Sequence, residues 1–109
     1  MEALKSRLQA EFDRAEAARA RGNEGQARVC ARRAAGIAIR EYLERRGETV
    51  RTSSAYDLLN RLIEDPFVTS AMKQAAAYLT MRVDENFNLP VDVDLLAESR
   101  RLCDGLLSG

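Results

Sequence analysis

The stretch from Gln26 to Arg46 constrains the chain more than any other, because it can only be a long helix with a small-residue face. It contains no proline, and Ala27, Cys30, Ala31, Ala34, Ile37 and Ala38 recur at the intervals that line up one side of an α-helix. Side chains this small let a neighbouring helix approach closely. A second strip, Ala35, Ile39, Tyr42 and Leu43, widens the apolar arc. A helix apolar over so wide an arc touches two neighbours, which places it at the centre of a bundle. It starts at Gly25 or Gln26, stops at Gly47 and carries Arg45 and Arg46 in its last turn, where cations suit the helix dipole.

The remaining segments supply the neighbours. Leu4, Leu8, Phe12, Ala15 and Ala18 form the stripe of a first helix that ends at Gly22-Asn23, two residues that tolerate positive φ. Residues 47–53 read as a loop, after which Ser53 or Ser54 caps a third helix with Tyr56, Leu59, Leu62 and Ile63 turned inward, ending before Asp65-Pro66. Thr69 or Ser70 caps a fourth, with Met72, Ala75, Ala76, Leu79 and Val83 as its stripe. A turn-rich connection follows, pinned by Phe87 and Leu89. Asp92 or Asp94 then starts a last helix with Leu95, Leu96, Ser99, Leu102, Cys103 and Leu106 on one side. No useful window alternates with period two. The expected fold is all-α, a four- to five-helix up-and-down bundle forming a single domain over residues 1–109, a length suited to one hydrophobic core.

Several chemistries are excluded. The chain has no histidine, which removes His-based acid–base catalysis, Ser-His-Asp and Cys-His nucleophiles and His-ligated metals. Cys30 and Cys103 lack the further ligands a zinc site needs and read as buried thiols, with a disulfide between them the alternative. Gly22-Asn23-Glu24-Gly25 joins two helices and has no Gly-Lys-Ser/Thr after it, so it is a connector and not a phosphate loop. Asp84, Glu85, Asp92 and Asp94 flank Pro90 and form a carboxylate group that could hold a divalent cation, but Asp92 and Asp94 sit where caps belong. Tyr42, Tyr56 and Tyr78 stand beside apolar residues at helical spacing and read as core or core edge. No catalytic residue, metal or cofactor is expected. The longest uncharged apolar run, residues 34–39, is far short of the ~20 residues that span a bilayer, and the N-terminus is too polar for a signal peptide. A cytoplasmic address is the default expectation.

Charge is unevenly distributed. Residues 1–56 hold 12 basic and 8 acidic side chains and residues 57–109 hold 5 and 9, so halves of +4 and −4 give the net charge of zero. Nearly all the basic residues are arginine. Arg28, Arg32, Arg33 and Arg40 occupy a polar sector of the second helix, and the planar fork of arginine suits phosphate or carboxylate. A nucleotide- or nucleic-acid-binding face follows as one reading. Against it stand Glu41 and Glu44, the absence of an interleaved aromatic residue and a sequence pI near 6.3. The alternative is charge-complementary packing of the basic first half on the acidic last helix, within a chain or across a homodimer.

The run from Ala15 to Leu43, with Ala-Arg-Ala-Arg-Gly-Asn-Glu-Gly-Gln-Ala-Arg at the turn and Cys-Ala-Arg-Arg-Ala-Ala-Gly-Ile-Ala-Ile-Arg-Glu-Tyr-Leu after it, resembles the first two helices of HEPN domains. The resemblance implies a small helical bundle that pairs through helix faces. Ribonuclease members of that family carry an Arg followed a few residues later by His, whereas Arg82 here is followed by Val83-Asp84-Glu85-Asn86-Phe87-Asn88-Leu89. The resemblance therefore implies a non-catalytic member. The expected function is a helical interaction module that self-associates or binds a protein partner, with nucleic-acid binding and a TPR-like peptide-binding hairpin as alternatives.

Overall fold

A computed structural model describes residues 2–86 and 88–108. Five helices follow one another: α1 (Glu2–Ala20), α2 (Glu24–Arg45), α3 (Ala55–Ile63), α4 (Ser70–Thr80) and α5 (Leu95–Leu107). The described residues form no strand, and the fold is an all-α helical bundle. No helix among them is long and apolar enough to cross a membrane.

Local chemistry sets most of the boundaries. Gly22 and Gly47 take φ of 79° and 82°, the left-handed conformation that ends a helix and that L side chains adopt only with strain. At each, the two amides after the helix turn back: Gly22 N and Asn23 N donate to Arg19 O and Ala18 O, and Gly47 N and Glu48 N donate to Glu44 O and Leu43 O. Those paired bonds are the Schellman ending, which satisfies carbonyls the helix leaves open. Asn23, Ser54, Thr69 and Asp94 cap the four later helices, each accepting from an amide of the first turn. Of the two residues expected at each of the last three starts, Ser54, Thr69 and Asp94 are the caps, while α2 begins one residue before Gly25.

All five helices feed one buried cluster, and α2 packs against α1, α3 and α5. The stripe expected of α1 is buried in full, as is that of α5. Two small faces meet between α2 and α5: Ser99 Oγ donates to Ala31 O at 2.7 Å, and Cys103 Sγ donates to Ala34 O at 3.6 Å. Side chains as short as these reach a backbone carbonyl only where the two helices run close together. Burial pushes the Cys103 thiol up to about 12, so it sits there as an unionised, unreactive small side chain. Cys30 is also free and buried.

Three expectations need correction. Tyr56, expected inward on α3, is only partly buried and lines a surface cleft, and Leu58 takes the inward position. Val83 lies outside α4, which ends at Thr80, and is 39% exposed. Met81 turns to extended backbone, and Arg32 of α2 takes the carbonyls of Leu79 and Met81 at 2.9 and 2.8 Å. The charge pairing between the two halves also runs both ways. Arg19 clasps both Glu24 and Asp94, but Arg100 of α5 donates to Glu16 of α1. α5 is not an acidic face against a basic one. Leu89 packs on the core as expected, and Phe87 lies outside the described residues.

The α3–α4 connection holds a buried acid. Asp65, 8% exposed, accepts from the Phe67 amide at 2.8 Å, from the Tyr42 hydroxyl at 3.3 Å and from the Arg46 guanidinium, which also stacks on the rings of Tyr42 and Phe67. Burial works against ionisation of Asp65, but these donors outweigh it and hold the carboxyl below its ordinary range. A depressed folded-state pKa adds stability above the unfolded pKa, lost as pH falls through it. Asp65→Asn is expected to lower stability by about 1–3 kcal/mol at pH 7. Below pH ~3.9, where the carboxyl of the unfolded chain takes up its proton while the folded one still resists it, the gap should shrink. Urea unfolding at pH 7 and pH 3 checks this, and an equal gap at both would show that the charge contributes nothing.

Candidate anion-binding clefts

Successive α-helical residues advance by about 100°, so Arg28 and Arg32 fall on one side of Gly36 and Arg33 and Arg40 on the other. The start of α3 sits over Gly36: a Cβ built there would lie 3.5 Å from both Cα and Cβ of Ala55. Only a residue with almost no side chain leaves room for α3 to cross so close. The arginine sector of α2 is therefore split by α3 into two clefts, and the four arginines do not share one face.

The first cleft, about 460 Å³, is lined by Arg7, Glu11, Arg33, Ile37, Arg40 and Leu58 among others. Arg40 spends its fork on the loop before α3, donating to Val50 O at 3.3 Å and to Thr52 O. Its role is to pin that loop. Arg33 is exposed. Glu11 brings a carboxylate into this cleft; its buried Oε1 lies 3.5 Å from Arg14 Nη1, long for a hydrogen bond, and has no closer donor.

The second cleft, about 300 Å³, is lined by Gly25, Arg28, Arg32, Tyr56, Arg82 and Val83. No carboxylate lines it. Arg82 lies over the Tyr56 ring with Cζ 4.5 Å from its centroid, and Arg32 over the same ring at 5.4 Å. Arg28 Nε is buried and has no hydrogen-bond partner among the described residues. The Arg32 guanidinium is held below its ordinary pKa, chiefly by burial, with Arg28 and Arg82 adding like-charge repulsion. Arginine remains charged throughout any accessible pH range, so the physical content of that shift is a positive pocket without a counter-charge.

Among the described residues, ion pairing sets these residues apart from all the other arginines except Arg21 and Arg51, which also pair with no carboxylate. Arg14, Arg19, Arg45, Arg46, Arg61, Arg100 and Arg101 each pair with an Asp or Glu within 4.0 Å. Among the described residues, the six that line the two clefts (Arg7, Arg28, Arg32, Arg33, Arg40 and Arg82) have no such pair. Two of the six lie outside α2, Arg7 arriving from α1 and Arg82 from beyond α4, and Tyr56 of α3 supplies an aromatic ring beside the arginines.

The acidic group behaves differently. Asp84 Oδ1 accepts from the amides of Asn86 and Asn88 at 2.8 and 3.0 Å, closing its own turn, and Asp94 caps α5. Among the described residues no three His, Cys, Asp or Glu side chains come together as a metal site. No family model, curated protein or solved structure matches the chain.

Proposed function

We propose that the chain is a non-catalytic binding module whose partner presents acidic side chains to the arginine-lined side of α2. The observation that carries this reading is the set of six arginines without carboxylate partners lining the two clefts. Guanidiniums without a carboxylate partner gain from an incoming carboxylate through paired N–H···O bonds. Arg40, whose fork is spent on the loop before α3, adds charge and not donors. A protein segment fits better than a nucleic-acid strand for two reasons. The arginines lie in two short clefts with α3 between them, not along one continuous track, and a net charge of zero gives no general attraction for a polyanion. Self-association belongs to the same reading. The exposed Asp84, Glu85 and Asp92 of a second copy are acidic groups of the kind the clefts would accept, and the resemblance to HEPN domains favours pairing.

A fluorescent glutamate-rich decapeptide titrated at low salt is the test. Binding should weaken as salt rises, and the double variant Arg28→Glu/Arg33→Glu should lose about tenfold or more, since a hydrogen bond to a charged group contributes about 1.5–3 kcal/mol. Absence of binding overturns the reading. So does tighter binding of a single-stranded RNA of the same length.

A further inference from the structure

The Tyr56 pocket differs from its neighbour in ways that specify more than a general liking for acids. Three guanidiniums converge on it, those of Arg28, Arg32 and Arg82, and no carboxylate lines it. Two of the three are held in place by other bonds. Arg32 is fixed by the carbonyls of Leu79 and Met81, which engage Nε and Nη2, and its Nη1 has no hydrogen-bond partner among the described residues. Arg82 is laid against the Tyr56 ring. The third, Arg28, has its Nε buried and unanswered. Leaving a buried N–H unpaired costs free energy, and positioned donors lose little entropy when a ligand arrives.

We propose that this pocket is a binding site for a phosphate monoester, held by Arg28, Arg32 and Arg82 beside the Tyr56 ring. The choice of phosphate over carboxylate follows from charge and from the number of oxygens. A monoester carries about −1.5 to −2 at pH 7 and offers three strong acceptor oxygens. A carboxylate brings one charge and two oxygens, enough for a single fork. Only the phosphate answers three unpaired cations at once. At about 300 Å³ the pocket is at the small end of ligand sites, which suits one phosphoryl group and little of what it is attached to. The neighbouring cleft, where Glu11 already supplies a negative charge, is the less suited of the two.

The site rests on the reading that this side of α2 meets anions, and it narrows the anion. Two sources share the chemistry, a small free phosphate ester and a phosphorylated side chain of a partner. Calorimetric titration with inorganic phosphate, AMP, a phosphoserine hexapeptide and acetate, all at matched ionic strength, separates them. Saturable phosphate binding is expected, at least about tenfold tighter than acetate. The tightest of the three phosphate probes identifies the source, and either source supports the site. Arg82→Gln should weaken binding about tenfold, whereas Arg33→Gln in the other cleft should leave it unchanged. Arg82 is exposed and stacked outside the core, so its variant is expected to melt at the wild-type temperature, and Arg28→Gln provides a second readout if it does not. Equal affinity for acetate, no saturable phosphate binding, or the same loss from Arg33→Gln overturns the site. Binding of the glutamate peptide without phosphate binding removes the phosphate site and leaves the broader reading standing. Phosphate binding without peptide binding does the reverse.

Discussion

Shortening Leu59 to alanine is expected to cost about 2–5 kcal/mol, the range for emptying a fully buried leucine site. Leu59 has no solvent exposure and lies in α3, which packs between α2 and α4. With nine residues, α3 is too short to persist alone, and Leu58, Leu59 and Leu62 hold it in place. Because a domain of this size is stable by about 5–15 kcal/mol, the loss is a large share of the total. Melting should fall by on the order of 10 °C or more. A shift of only a degree or two would place Leu59 outside the core. The same variant should loosen both clefts, since α3 forms the wall between them.

Ala31→Leu tests the opposite error, too much volume. Ala31 is fully buried, and its carbonyl accepts the hydroxyl of Ser99 at 2.7 Å. A leucine there must push α5 off α2 or adopt a strained rotamer, and overpacking of this kind costs about 1–3 kcal/mol and at times more. The Ser99 bond, worth about 1 kcal/mol, is expected to go with it. Ala17→Leu, on the exposed side of α1, is the matched control and should change stability by less than about 0.5 kcal/mol. Thermal melting of the pair decides: similar melting temperatures would mean that the α2–α5 seam has slack.

How much of this was legible in the sequence depends on the distance over which each feature is determined. Ser54, Thr69 and Asp94 announce helix starts because the oxygen and the amide it accepts from are two or three residues apart. Gly22 and Gly47 announce ends for an equally local reason. The small-residue stripe of α2 identified it as the central helix, because periodicity alone shows which side must be covered. The end of α4 was not legible. Nothing near Val83 says that Arg32, 47 residues before Leu79, takes its carbonyl and helps hold the chain as it turns extended. The candidate site failed in the same way. Arg28, Arg32, Arg33 and Arg40 occupy a sector of one helix in the sequence, but α3 lands on Gly36 and divides them. Tyr56 and Arg82 join one half only because the tertiary fold brings them there.

The seam between α2 and α5 also has a consequence in time. Ser99 and Ala31 are 68 residues apart in the chain, as Cys103 and Ala34 are 69 apart. The α1–α2 hairpin, by contrast, closes through the short Gly22-Asn23 turn. During synthesis the hairpin is complete while α5 is still to be made, because the chain is produced from its N-terminal end. Until α5 arrives, the alanine face of α2 has no cover. Its side chains are small, so the exposed strip is weakly sticky for its area compared with one of leucines. A nascent chain that must wait for its last helix is thus protected by the same residues that later let that helix approach closely.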